Sequence, residues 1–405
     1  MKHLLKPSLD WLLAALPIAA YLHYTHGDPT WTFITACIAI IPIAGWMGHA
    51  TEHLAERTGE GIGGLLNATF GNAAELIIAL IALSAGKIEV VKASITGSII
   101  GNVLLVLGAA FLFGGMRHAR QQFSLQAARS YGTMLLLAAI ALVVPAAFHH
   151  LAVAPAGDLV VRERDLSLEI AAVLFLTYLA VLWFSLRTHK HLFTGPSSEA
   201  AKLADQEEAV DPNHVAETSH VAETSHASWS VGKAVTVLVV ATVAVAIVAE
   251  WMIHSVEGAA HTLGMNQVFI GVVVVAIVGN AAEHSSAVMM ALKNRMDLSI
   301  GIALGSSIQV ALFVAPVLVF ASYLIAPAPL DLVFTPFEVL AVVAAVWVAA
   351  QVTNDGESNW LEGLQLISVY AILAGVFYLL PSHPAPGPDP SHPQAVPAAL
   401  PALGH

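Results

Sequence analysis

Runs of about 20 apolar residues, each long enough to cross a bilayer as a helix, recur from one end of this chain to the other. In hydrocarbon, every backbone polar group must be satisfied within the protein, so such runs can become only helices or strands of a closed barrel. They are continuous rather than alternating, which argues against the barrel. Of the 405 residues, 57% are hydrophobic and 11% charged, whereas a soluble protein carries about 25% charged residues. The expected fold is an all-α integral membrane protein of about 11 transmembrane helices. Its environment is the lipid bilayer, and nothing in it suggests a nucleic-acid partner.

The candidate spans are about 9–24, 31–53, 63–85, 93–115, 129–149, 167–187, 231–254, 267–291, 299–324, 333–352 and 360–381. The first reads as a signal anchor rather than a cleaved signal peptide, because its apolar part is long and its small-residue site is weak. The single cysteine, Cys37, rules out an intrachain disulfide. One long polar segment separates spans six and seven. It holds seven acids and one base, Lys202, so it supplies −6 of the chain's net charge of −12. With the N-terminus in the cytoplasm, twelve of the sixteen Lys and Arg residues fall inside and Lys87, Lys92, Arg162 and Arg164 fall outside. This is the bias of the positive-inside rule. It sets the C-terminus outside, and the short loops suit a bacterial-type plasma membrane.

The pentapeptide "GNAAE" occurs at Gly71–Glu75 and again at Gly279–Glu283. The same offset of 208 sets Gly305 and Ser306 on Gly97 and Ser98, and Arg295 and Asp297 on Lys87 and Glu89. An offset of 205 sets Glu257 on Glu52 and Gly264 on Gly59. Spans two to six therefore repeat as spans seven to eleven. Five is odd, so the second unit enters from the opposite face, the inverted-topology arrangement of transporters with a midplane site. The expected divisions are an N-terminal transmembrane helix (1–28), a first five-helix repeat (29–190), an acidic and His-containing cytoplasmic linker (191–230), a second five-helix repeat (231–382) and a Pro-rich disordered tail (383–405).

A carboxylate in mid-membrane costs several kcal/mol even on lenient scales, about 2.5–3.5 for Asp at a helix centre, and is usually functional. If spans three and eight are helical, Asn72 and Glu75 share a face, as do Asn280 and Glu283, and Gly71 and Gly279 can loosen the helix and free backbone carbonyls. The small neighbours let another helix approach closely. The two faces can meet as an oxygen cage of two carboxylates and two carboxamides, with Ser98 and Ser306 nearby. Oxygen-only ligation selects hard cations, and two carboxylates balance one divalent charge. Burial favours the protonated carboxyl when no cation is bound. One pair of glutamates then holds either Ca²⁺ or protons, which is the minimum requirement for antiport.

The stretches "MGHATEHLAERTG", "GLLNATFGNAAELIIALIAL", "SITGSIIGNVLLVLG", "SLRTHKHLF", "VFIGVVVVAIVGNAAEHSSAV", "LGSSIQVALFVAPVLV" and "DGESNWLEG" resemble the Ca²⁺/H⁺ antiporter (cation/proton exchanger) family of the cation/Ca²⁺ exchanger superfamily. The resemblance covers nearly all the membrane portion in order. It implies one additional first helix, two inverted five-helix repeats and cytoplasmic Ca²⁺ exchanged for protons. It further implies cation-carrying glutamates at Glu75 and Glu283, beside Asn72 and Asn280. It carries one asymmetry: Asn102 has Val310 as its offset partner, while Gln309 falls opposite Gly101. The linker departs from the family, because its acids are interleaved with histidines in "HVAETSHVAETSH". No cofactor is expected, since Ca²⁺ is substrate. A homo-oligomer is left open. Na⁺- or K⁺-coupled exchange on the same fold is the alternative.

Weaker signals stand beside the pair. Glu52 and Glu257 read as interfacial carboxylates or as mouth ligands and relays. His284, next to the second glutamate, reads as a packed histidine or a proton acceptor. Glu250, Glu338 and Glu362 read as packing or helix-end residues. His49, Glu52 and His53 match H-x-x-E-H, a zinc-protease pattern, but no third ligand accompanies them.

Overall fold

In the computed structural model, the described residues are 9–152, 155–188 and 229–381. Most of the linker and the whole 383–405 tail lie outside them. A 3₁₀ turn, Leu9–Ala14, leads into α1 (Ala15–Tyr24). The first repeat follows as α2 (Pro29–Phe70), α3 (Ala73–Ser84), α4 (Ile88–Arg117), α5 (Leu125–Leu151) and α6 (Gly157–Thr188). The second is α7 (Val231–Leu263), α8 (Gln267–Gly279), α9 (Ala281–Leu292), α10 (Met296–Ile325), α11 (Pro336–Val352) and α12 (Trp360–Leu379).

Seven of these helices are individually long and apolar enough to span a membrane, or eight when the pair α8 and α9, bent by 61°, counts as one. The other segments expected to span are shorter: α1, α3 and α11. The expected spans 31–53 and 63–85 are not separated by a loop, since helix runs from Pro29 to Phe70. Yet α2 turns back on itself. A Cβ on Gly63 would lie 2.3 Å from the carbonyl oxygen of Ala55, eight residues earlier. In a straight helix that interval is about 12 Å. The second repeat makes the corresponding turn with Gly264, held at φ +63°, and with Asn266, whose side chain caps α8 by accepting from Phe269 N at 2.6 Å.

Glycine decides where the halves touch. A Cβ on Gly97 of α4 would sit 2.3 Å from the Val272 carbonyl oxygen of α8, and one on Gly271 would sit 2.5 Å from Ala93 Cβ. Only Gly lets the two backbones cross this closely. A small two-stranded ribbon, β1 (Gln121–Gln122) with β2 (Glu357–Ser358), ties the α4–α5 loop to the α11–α12 loop. Glu338 and Glu362 close capping boxes with Thr335 and Asn359 at the starts of α11 and α12, the helix-end role expected of them.

Candidate functional site

Each "GNAAE" copy interrupts a helix. Asn72 has φ −101° and ψ 25°, and Asn280 has φ −94° and ψ 7°. Each asparagine therefore stands at a break and each glutamate is the third residue of the helix that follows. The helical face expected to be shared by Asn and Glu is thus replaced by a break, beside the glycines expected to loosen the helix. Asparagine at such a position ordinarily caps the next helix. Neither side chain does so here, because both amides are drawn across the molecule.

Their partners form one chain of hydrogen bonds. Asn72 Nδ2 donates to Gln309 Oε1. Ser306 Oγ donates to Asn72 Oδ1 at 2.9 Å. Asn102 Nδ2 donates to Ser306 Oγ and to Asn280 Oδ1, both at 3.0 Å. Asn280 Nδ2 donates to Ser98 Oγ at 3.0 Å and to the Ala276 carbonyl at 2.8 Å. Read in order, Gln309, Asn72, Ser306, Asn102, Asn280 and Ser98 alternate between the two repeats at every step. The serines and asparagines are nearly fully buried.

Glu75 stands outside this chain, whereas Glu283 touches it through a hydrogen bond with Ser306. Both oxygens of Glu75 and Oε2 of Glu283 are buried and have no hydrogen-bond partner among the described residues, and Asn102 Oδ1 is likewise unpartnered. The two glutamates lie within electrostatic reach of each other, and Glu75 packs against Gly279, where a Cβ would be 3.1 Å from its Cγ. A cavity of about 10 Å³ adjoins Glu75, lined by Ser94, Ser98, Val275 and Val310 among others. That is the room of about one water.

An unpaired ionised carboxylate in such surroundings is very costly, and either a proton or a cation removes the cost. The amide oxygens of Asn72 and Asn280 already accept hydrogen bonds, so in this arrangement they hold the framework. Both oxygens of Glu75, Oε2 of Glu283 and Oδ1 of Asn102 are the acceptors here left without a partner among the described residues.

Of the other residues singled out in the sequence, Asn102 and Gln309 are in the amide chain. His284 lies beside it, with its backbone N–H on the Asn280 carbonyl at 2.9 Å. Glu52 and Glu257 are at the rim: Glu257 is ion-paired with Lys87, while Glu52 is exposed beside His49, 3.5 Å away. His53 stacks on Trp229. Among the described residues no third ligand joins His49, Glu52 and His53, and no group of three His, Cys, Asp or Glu could hold a metal ion.

Two features were not legible in advance. A π-helical turn at Gly101–Val106 carries Asn102, and another at Val310–Val314 follows Gln309. They fall at matching places in the two repeats, and such turns are frequent at functional sites. Gly101 in the first and Pro316 just beyond the second are the only sequence hints.

A family model described as sodium/calcium exchanger protein matches residues 29–187 and 233–379. A Ca²⁺/H⁺ antiporter of Aphanothece halophytica is 42% identical over 381 residues, covering 93% of this chain and 97% of that protein. The Ca²⁺/H⁺ antiporter ChaA of Bacillus subtilis is 42% identical over 368 residues, covering 91% and 97%. The solved structure of native YfkE aligns with a TM-score of 0.74 at 39% identity, covering 92% of this chain and all of that one.

Proposed function

This chain belongs to the sodium/calcium exchanger protein family, and from that premise we propose that it is a secondary transporter exchanging cytoplasmic Ca²⁺ for protons by alternating access. The relatives at 42% identity are named antiporters rather than enzymes, and the protease reading of His49, Glu52 and His53 is dropped.

The observation that carries the mechanism is the pair of buried glutamates at the two helix breaks, with both oxygens of Glu75 and one of Glu283 unpartnered among the described residues. Glu75 and Glu283 carry the cation. With both ionised, their charge of −2 cancels that of Ca²⁺, and the hard oxygens suit it. When Ca²⁺ leaves, two bare carboxylates in low dielectric repel each other and protonate. The glutamates therefore cross the cycle neutralised by one ligand or the other, and transport of one is tied to return of the other. Asn102 Oδ1 and backbone carbonyls freed at Gly71 and Gly279 supply further oxygens. Ser98, Ser306, Asn72, Asn280 and Gln309 hold the frame.

The bias of its basic residues supports an N-terminus in the cytoplasm and a C-terminus outside, and the short loops suit a plasma membrane. In a Cys37→Ala background, Gln122→Cys labels from the cytoplasmic side and Gly157→Cys from the other. Labelling of both from one side refutes that topology.

The functional test is Ca²⁺ uptake into everted vesicles under an imposed pH gradient, with and without Na⁺. Uptake is expected to follow the gradient and to vanish with an uncoupler. Uptake that survives the uncoupler and follows Na⁺ overturns proton coupling.

A further inference from the structure

The loop between α3 and α4 and the loop between α9 and α10 are repeat partners with the same backbone. Gly86 and Asn294, related by the 208 offset, both have positive φ, +72° and +57°. Lys87 and Arg295 follow them, at φ −83°, ψ 58° and φ −108°, ψ 63°. Each presents a cation at the mouth of the bundle, on opposite faces. The other pair of repeat partners, Glu257 and Glu52, lies on α7 and α2.

On one face the pair is made: Lys87 Nζ donates to Glu257 Oε1, joining the first repeat to the second. The two residues line both of the neighbouring surface cavities, of about 640 and 800 Å³, so the pair is a strut between them. On the other face the equivalent pair is not made. The Glu52 side chain is 61% exposed and leans on His49 at 3.5 Å. Arg295 is exposed and has no ion pair among the described residues. The loop backbones are alike, so the difference lies outside the loops themselves.

We propose that Glu52 and Arg295 form the mirror-image ion pair when the transporter reverses, while Lys87 and Glu257 separate, so that one latch closes each face in alternation. The inference rests on the alternating-access reading above. Both residues of the open latch are charged and hold, in opposite repeats, the places that Glu257 and Lys87 hold in the closed one, and inverted repeats exchange conformations when access alternates. An exposed pair contributes little alone. That suits a latch, because a strong pair would hold one state permanently. The four residues are positioning residues and touch no substrate.

Charge reversal tests it. Glu52→Arg and Arg295→Glu should each slow Ca²⁺/H⁺ exchange by about twofold to fivefold, the upper range of a weak, exposed pair. The double reversal should return the rate to within about twofold of wild type. Like charges at one latch bias the cycle toward the other state, so each single variant should also change the apparent Ca²⁺ affinity. A merely structural surface residue would not do this.

As a second measurement, Glu52→Cys with Arg295→Cys in a Cys37→Ala background should crosslink on mild oxidation. The yield should rise when Lys87→Ala releases the opposite latch. Crosslinking should stop exchange, and dithiothreitol should restore it. A double reversal no faster than the slower single variant overturns the proposal, as does a cysteine pair that never crosslinks in a protein whose reduced form transports. Absence of exchange in the wild type would instead refute the exchanger reading. The dependence of crosslink yield on Lys87→Ala would still show whether the latches are coupled.

Discussion

The two halves carry one pentapeptide at matching breaks, yet they leave its residues in different company. Asn72 is held only from the second repeat, by Gln309 and Ser306. Asn280 is held by Asn102 and Ser98 from the first repeat and also by the Ala276 carbonyl of its own helix. Both oxygens of Glu75 are orphaned and one of Glu283. At the surface, Lys87 and Glu257 are paired while Arg295 and Glu52 are apart. These are two kinds of inequality. The exchange of Asn102 for Gln309 between the halves is written in residue identity and persists in every state. The rim pairing joins equivalent residues and can be traded from face to face.

The largest expected effect would erase the shared part of the comparison. Glu75→Gln and Glu283→Gln each keep size and polarity but leave bound Ca²⁺ with an uncompensated charge. Each should cut exchange to below about 1% of wild type, since buried charge imbalance costs several kcal/mol. The double variant should be little worse than either. Vesicle uptake by protein shown to be folded and inserted checks this, and a single variant that exchanges at near wild-type rate breaks the equivalence of the halves.

Next comes a pair of glycines. Gly97→Ala drives a methyl into the Val272 backbone and should destabilise the protein by about 3 kcal/mol or more. At its repeat partner Gly305 a Cβ meets nothing within 4 Å, and Gly305→Ala should shift stability by no more than about 0.5 kcal/mol. Thermal unfolding in detergent distinguishes them. Equal losses would mean that the close crossing is not confined to one half.

The amide chain should give smaller effects on transport. Asn102→Ala removes donors to two partners and should slow exchange about tenfold. Gln309→Ala removes an acceptor from one partner and should slow it about threefold. Both follow from about 0.5–1.5 kcal/mol per hydrogen bond. The reverse ranking, measured by initial rates at saturating Ca²⁺, would place the weight of the frame in the second half. Smallest for transport are the two capping boxes, which bear on stability. Thr335→Ala frees the box whose buried Glu338 also accepts from Thr96 at 3.0 Å, and should cost about 2 kcal/mol. Asn359→Ala, at the more exposed Glu362, should cost about 1 kcal/mol. Equal unfolding temperatures would deny the burial of Glu338 any energetic role.

Sequence by itself determined that this chain is a bundle of membrane helices, that it is doubled and inverted, and which residues are polar where polarity is costly. Those conclusions rest on run length, charge scarcity and a fixed offset, all properties of the chain in order. It did not show that Asn72 and Asn280 leave the helix. Gly-Asn-Ala-Ala-Glu is compatible with a continuous helix, and the break is favoured only once amides from the other repeat compete for the asparagine side chains. Nor did it show the π-helical turns, or that α2 folds back at Gly63 without a loop, because local propensity is weak against packing. Which glycine would meet a backbone, which rim pair is closed and which carboxylate oxygens are left bare were decided by the tertiary structure alone. Each depends on the distance between segments roughly 200 residues apart, and a repeat in sequence fixes the identity of those segments but not the state in which they are packed.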